Sequence, residues 1–259
     1  MNKKSSILHA LLFAGLATSA SAMVVESPQR VKDNEAIDPK GVIVEELTPA
    51  NVTTKEELIA LPTFRTIQVF GSSGKFFEAK SNIISFVGTS DIVPDVEFTF
   101  GGANASPNSG ESFSHPDFSS SDNYALRLEG TLNEGAEPQI FTAILKFGDY
   151  NSDSKTFTPA SAGSEKAAKA VSFTLTSPGY RSCLLESIEA VFKDAAGNVL
   201  DTQSLTGLQI PKDKQPRAAF FGYKTTGERI ATVEITVTTK AMKFTSIPLL
   251  GLDDLGFAR

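Results

Sequence analysis

From about residue 64 onwards, apolar and polar residues alternate with a period of two, the spacing that gives a β-strand one buried and one wet face. Val96, Phe98 and Phe100 point one way and Asp95, Glu97 and Thr99 the other. The same alternation sets Tyr124, Leu126 and Leu128 on one face, then Val171, Phe173 and Leu175, then Ile188, Ala190 and Phe192. It returns at Ala231, Val233, Ile235 and Val237. Strands of this kind belong to antiparallel sheets with one solvated side. Residues 139–147 are apolar on both faces, which predicts a central strand. Between Phe192 and Leu200, the stretch 193–198 reads as a hairpin connection in which Gly197 and Asn198 can take positive φ. Residues 101–122 and 148–169 read as long loops, the first rich in Ser, Gly, Asn and Pro. No segment beyond Pro62 keeps a helical period for three turns. The pattern therefore predicts about ten strands in an all-β, two-sheet antiparallel β-sandwich, a jelly roll, over residues 63–259.

The N-terminal part differs. Lys3 and Lys4 precede an apolar run, 7–18, and then small residues in which Ala20 and Ala22 form an A-x-A site. Residues 1–22 thus read as a signal peptide cleaved after Ala22, which predicts a secreted or periplasmic protein. The apolar run falls short of the ~20 residues a spanning helix needs, so no membrane insertion is expected after cleavage. Residues 23–62 read as a polar, flexible leader with one short helix. Thr54 and Glu57 form a capping box, and Pro62 stops the turn that follows. This helix is expected to plug one end of the sandwich.

Composition sharpens the picture. Nineteen phenylalanines and no tryptophan predict a phenylalanine-filled core. The single cysteine, Cys183, excludes an intramolecular disulfide and reads as a small apolar filler. Removing 22 of 259 residues leaves 237, with 22 basic against 30 acidic side chains, a net charge of −8. An acidic chain without a basic cluster argues against nucleic acid, because that contact needs Lys and Arg to neutralise phosphates.

The C-terminal third carries a recognisable pattern: Arg217-Ala218-Ala219-Phe220-Phe221-Gly222, then Glu228-Arg229-Ile230-Ala231-Thr232-Val233, then Gly251-Leu252-Asp253-Asp254-Leu255-Gly256-Phe257. It resembles the closing strands of secreted bacterial jelly-roll domains of the PEP-CTERM type, which are galactose-binding-like sandwiches. The resemblance covers residues 171–259 and implies the fold rather than an activity. Arg259 follows without that family's Pro-Glu-Pro, apolar and basic tail, so membrane-linked sorting is not part of the expectation. In related sugar-binding sandwiches a carboxylate on an early strand and an aspartate on the last strand hold a structural calcium. The resemblance therefore implies Glu97 with Asp253 or Asp254 as a calcium site. The alternative is an aspartate pair bonding backbone N–H groups. Leu252 and Leu255, three apart, share one face only if a β-bulge adds a residue at Asp253-Asp254.

Other candidate chemistry is sparse. His115 is the sole histidine after residue 22, in a Ser/Pro loop without a flanking motif, so neither a Ser-His-Asp triad nor a zinc site is expected. Asp149, Asn151 and Asp153 present oxygens at every second position, but Ser154 and Ala160 stand where an EF-hand needs its glycine and its last carboxylate. What remains there is a looser calcium loop or an Asx-rich turn. Glu97, Glu129, Glu186, Glu189, Glu234, Asp253 and Asp254 supply strand carboxylates of the type glycoside hydrolysis uses in pairs. Tyr124, Tyr150, Tyr180 and Tyr223 are the candidate exposed aromatics, and Tyr150 and Tyr180, at turns, are the nominated ligand contacts. The expected protein is a non-enzymatic binding or surface-associated module, glycan-binding and calcium-stabilised, whose partner is a polysaccharide or a cell-surface or matrix component. A structural or adhesive envelope protein without a small ligand, and a carbohydrate-active hydrolase, are the alternatives.

Overall fold

The computed structural model describes residues 31–32, 35–36, 45–47, 49–67, 76–80, 83–86, 94–102, 126–129, 137–177, 185–206, 217–241 and 249–259. The proposed signal peptide, His115, Tyr124, Tyr180 and Cys183 lie outside them, and Asp253 and Asp254 are placed by backbone only. Among the described residues no helix is long and apolar enough to cross a membrane.

The alternating segments form strands, and the strands form two sheets. The larger contains, in spatial order, β13 (Val199–Thr206), β12 (Leu185–Lys193), β15 (Thr232–Thr239), β9 (Ile140–Asn151), β7 (Asp95–Gly102), β6 (Ile83–Phe86) and β5 (Phe76–Lys80). A further strand, β10 (Thr156–Pro159), pairs with the end of β9. The smaller sheet runs β3 (Glu45–Leu47), β14 (Arg217–Lys224), β11 (Ala170–Ser177), β16 (Leu249–Ala258) and β4 (Arg65–Ile67), with β8 (Leu126–Glu129) also on β16. A separate pair, β1 (Val31–Lys32) and β2 (Glu35–Ala36), lies in the leader. From β11 onwards the chain changes sheet at each connection except the β12–β13 hairpin, giving the expected sandwich.

Inward residues from both sheets make one core. Phe98, Phe141, Phe147 and Phe192 of the larger sheet meet Phe173, Phe221 and Phe257 of the smaller, all fully buried. Phe173 stacks on Phe221 at 5.2 Å and reaches across to Phe192 at 6.4 Å. β9 is central, as its apolar run predicts, but only one of its faces is dry. Phe141, Ala143, Leu145 and Phe147 are buried, whereas Thr142, Ile144 and Lys146 are half-exposed. In β16 the register against β11 slips between Ser172, opposite Gly256, and Thr174, opposite Asp253. Three steps on one strand match two on the other, and Leu252 and Leu255 both reach the core. The bulge stands where the leucine spacing demands one.

The leader from Glu45 on is part of the sandwich rather than a tether. β3 adds to β14 in parallel, the one parallel pairing among the described strands. The helix α1 (Lys55–Ile59) starts on the expected capping box, with Thr54 Oγ1 accepting the Glu57 N–H and Glu57 Oε2 accepting the Thr54 N–H. It does not plug an end. Leu58 drives onto the outer face of the smaller sheet, against Ala170 and Ala258, with Leu61, Phe64 and Phe220 around it. Two glycines permit this approach: a Cβ on Gly222 would stand 2.8 Å from the Thr53 carbonyl oxygen, and one on Gly256 would stand 2.5 Å from the Phe64 ring.

One buried polar side chain joins the sheets at an edge. Gln203 of β13, fully buried, donates to the Gly222 carbonyl at 2.7 Å and accepts the Gly222 N–H at 3.2 Å, so its amide imitates a neighbouring strand. Gln203→Ala would strand the Gly222 N–H, while the Gly222 carbonyl keeps the Thr53 N–H at 2.9 Å, and such a loss costs about 1–3 kcal/mol. Urea unfolding should show this as a lower midpoint; an unchanged midpoint would show that the bridge is dispensable.

The β12–β13 hairpin is held by Asp194. Its Oδ1 accepts the N–H groups of Ala196 (2.9 Å) and Asn198 (2.8 Å), its Oδ2 accepts Asn198 Nδ2 (2.8 Å), and Gly197 takes φ +86°. The Asn198 side-chain hydrogen bond, helped by these backbone donors and opposed by desolvation, holds the carboxyl below its usual range. A depressed folded pKa stabilises the fold above the unfolded value of ~3.9 and loses that contribution as pH falls through the folded value. Melts across the acid range should therefore fall less steeply for Asp194→Asn than for the parent.

Candidate functional site

The two outer faces of the sandwich are unlike. That of the smaller sheet carries α1 and Phe64. That of the larger sheet presents the residues alternating with the core set, and these are half-exposed: Thr232, Glu234, Thr236 and Thr238 on β15, Thr142, Ile144 and Lys146 on β9, and Glu97 and Thr99 on β7. Strand register draws them into rows perpendicular to the strands. In one row Glu97 faces Lys146, Lys146 faces Thr232, and Thr232 faces Lys193. In the next, Thr99, Ile144, Glu234 and Val191 follow one another. Lys193 Nζ lies 2.5 Å from Glu234 Oε2 across the two rows. Charges of both signs are thus interleaved with hydroxyls, and no single sign dominates the surface.

At one end this face continues into a projecting hairpin. β9 runs to Asn151, past the start of β15, and β10 returns along it after the turn 152–155, where Lys155 takes φ 55°. Tyr150 pairs with Phe157, so their side chains share a face, and alternation along β9 makes it the face of Ile144 and Lys146. Both rings are half-buried. The hairpin folds tightly at its root: a Cβ on Gly148 would stand 2.1 Å from the Thr158 carbonyl oxygen and 2.9 Å from the Phe157 ring. Asp95, the buried first residue of β7, carries that strand's hold on β9 two residues past its Gly148 pairing: its Oδ2 accepts the Tyr150 N–H at 2.6 Å. Residues 148–169 are therefore a hairpin and its return rather than one long loop.

The calcium candidates fare differently from one another. Asn151 Oδ1 accepts the N–H groups of Asp153 (3.0 Å) and Ser154 (2.9 Å), which uses both lone pairs of that oxygen. Asp149 meets Lys166 at 2.7 Å. The D-x-N-x-D run is thus built as an Asx turn beside an ion pair. Glu97 lies on the outer side of the larger sheet, while Asp253 and Asp254 lie on β16 of the other sheet, with the core between them, so the structure does not bring Glu97 to either. Among the described residues no three His, Cys, Asp or Glu side chains form a metal-binding group. Of the strand carboxylates, Glu189 and Glu234 are diagonal neighbours on the open face. Glu234 is already held by Lys193, and Glu189 accepts the Ser204 hydroxyl at 3.4 Å. Tyr223 is not an exposed platform: it packs against the core, its ring 5.5 Å from Phe192. Tyr150 is on the candidate surface. Phe157, its partner, was hidden by the Asp, Asn and Ser residues of the turn; the visible signal is the T-F-T alternation at 156–158.

No family model and no curated protein matches the chain. Among solved structures it is similar to the mannan-recognising carbohydrate-binding module TmCBM27, at 12% identity and a TM-score of 0.35, covering 76% of this chain and 98% of that one. It is also similar to the K3 cleaved adhesin domain of Lys-gingipain from Porphyromonas gingivalis, at 12% identity and a TM-score of 0.31, covering 76% and 92%. A third is the enzymatically active domain of bacteriophage CBA120 tailspike protein 4, at 14% identity and a TM-score of 0.34, covering 74% of this chain but 21% of that one. Likenesses of this size carry no inference about ligand or activity.

The closeness at Gly148 yields a direct test. Gly148→Ala must push β10 off β9, and overpacking of this kind costs about 1–3 kcal/mol. The melting temperature should drop by several degrees, about 2–4 °C for each kcal/mol. An unchanged melt would show that the hairpin root is loosely packed.

Proposed function

We propose that this chain is an exported, non-catalytic module that binds neutral polysaccharide on the open face of its larger sheet. The observation that carries the reading is the contrast between the two outer faces. One is covered by Leu58 and Phe64; the other is left half-exposed and lined by hydroxyls and by charges of both signs. Neutral sugars are polyols, and a surface of Thr hydroxyls with Lys and Glu side chains offers both donors and acceptors to them. The net charge of the whole chain, −6, disfavours polyanions. Export rests on the signal-like residues 1–22.

Affinity electrophoresis of the chain from Met23 onwards, through gels containing glucomannan, xylan or mixed-linkage β-glucan, tests the reading. Retardation by at least one of these, and not by polygalacturonate, is expected. A Thr236→Lys substitution in the middle of the face should weaken the retardation about tenfold, the equivalent of ~1.4 kcal/mol. Migration unaffected by any neutral polysaccharide would overturn it.

A further inference from the structure

We infer that Tyr150 and Phe157 form a stacking platform for one pyranose ring of that polysaccharide, with Lys146, Glu97 and Thr232 as its polar flank. The inference rests on the glycan-binding reading and assigns it a particular site.

The hairpin carrying the two rings is amphipathic. Asp149, Thr156 and Thr158 occupy one side; Tyr150 and Phe157 occupy the other, the side of Ile144 and Lys146. The larger sheet's buried run on β9 ends at Phe147 and Gly148, so the paired rings beyond it are not core residues. They remain half-exposed on a face whose other side chains are mostly Thr, Lys and Glu. Aromatic rings offer a large apolar area with few rotatable bonds, and Tyr adds a polar tip. The C–H face of a pyranose is the complement of such a ring, and its equatorial hydroxyls require hydrogen-bonding groups beside it. The nearest row supplies them: Lys146 is four residues from Tyr150 on the same face of β9, with Glu97 and Thr232 its partners on either side.

The hairpin is also stiff, which a recognition platform requires if ordering costs are not to consume the binding energy. Asp95 clamps the Tyr150 N–H, Asn151 closes the turn on two N–H groups, and Ser154 Oγ contacts Thr156 Oγ1 at 2.7 Å. Asp149 ties the far side to Lys166. Phe157 is seated over Gly148, where a side chain would displace it. The opposed charges of Glu97 and Lys146 cancel, which selects a neutral sugar over a uronic acid or a phosphorylated one.

The same affinity gels test the site. Tyr150→Leu and Phe157→Leu keep apolar bulk on the hairpin and remove the flat ring; each should raise Kd about tenfold, the scale of a lost aromatic contact. Tyr150→Phe, which keeps the ring, should stay within about threefold of the parent. Circular dichroism melts within a few degrees of the parent will show that the variants are folded; Tyr150→Phe serves as the folded control if a leucine variant melts early. Both leucine variants retarded as strongly as the parent would overturn the platform while leaving the glycan-binding reading intact. A parent chain that no neutral polysaccharide retards would remove both.

Discussion

The structure depends on phenylalanine rings meeting between two sheets. Neither sheet has a dry interior of its own, and one cysteine permits no covalent cross-link within the chain. Phe98, Phe141, Phe147, Phe173, Phe192, Phe221 and Phe257 are each removed from water, and burial of such a side chain is worth about 1.5–3 kcal/mol. Register then follows, because slipping any strand by one residue would turn its phenylalanines outward. The β16 bulge is an instance of the same constraint. Leu252 and Leu255 both have to reach the core, and the strand inserts a residue so that they do.

Once the core has fixed the inward faces, the outward ones are free to differ. On the smaller sheet, small residues at Ala170, Gly222, Gly256 and Ala258 let the segment from Thr53 to Phe64 lie close. Gln203 closes the neighbouring edge by hydrogen-bonding the backbone of Gly222, and it also reaches the Asn51 carbonyl at 3.4 Å. On the larger sheet the outward positions are β-branched and charged, with Thr236 and Thr142 opposite one another and Lys193 bound to Glu234. Side chains of that kind leave hydrogen-bonding groups at the surface.

Much of this was legible in the sequence because the signals were local. Alternation gave β7, β11, β12 and β15, Thr54 and Glu57 gave the helix start, and the leucine spacing gave the bulge. What escaped depended on contacts distant in sequence. The three-residue parallel pairing of β3 leaves no periodic trace. Gln203 occupies an inward position where alternation alone would place an apolar residue, and its partner is the backbone of another sheet. The turn residues Asn151, Asp153 and Ser154 suggested both a loop and a cation site. In the structure Asn151 Oδ1 accepts the N–H groups of Asp153 and Ser154, and the two short runs flanking the turn pair as strands.

The covered and the open face bear on the proposed recognition site. The hairpin of β9 and β10 extends the open face, and β9 is the strand whose inward side carries Phe141 and Phe147. Tyr150 is therefore positioned by the same backbone that the core immobilises, and Asp95, the first residue of β7, supplies the last link. A platform on a free loop would lose entropy on meeting its ligand; one continuous with a core strand has already lost it in folding. A contact made by these two rings would be as rigid as the sandwich. Substitutions that loosen the hairpin root at Gly148 would then act on binding as well as on stability, because the two rings keep their register only while β10 stays on β9.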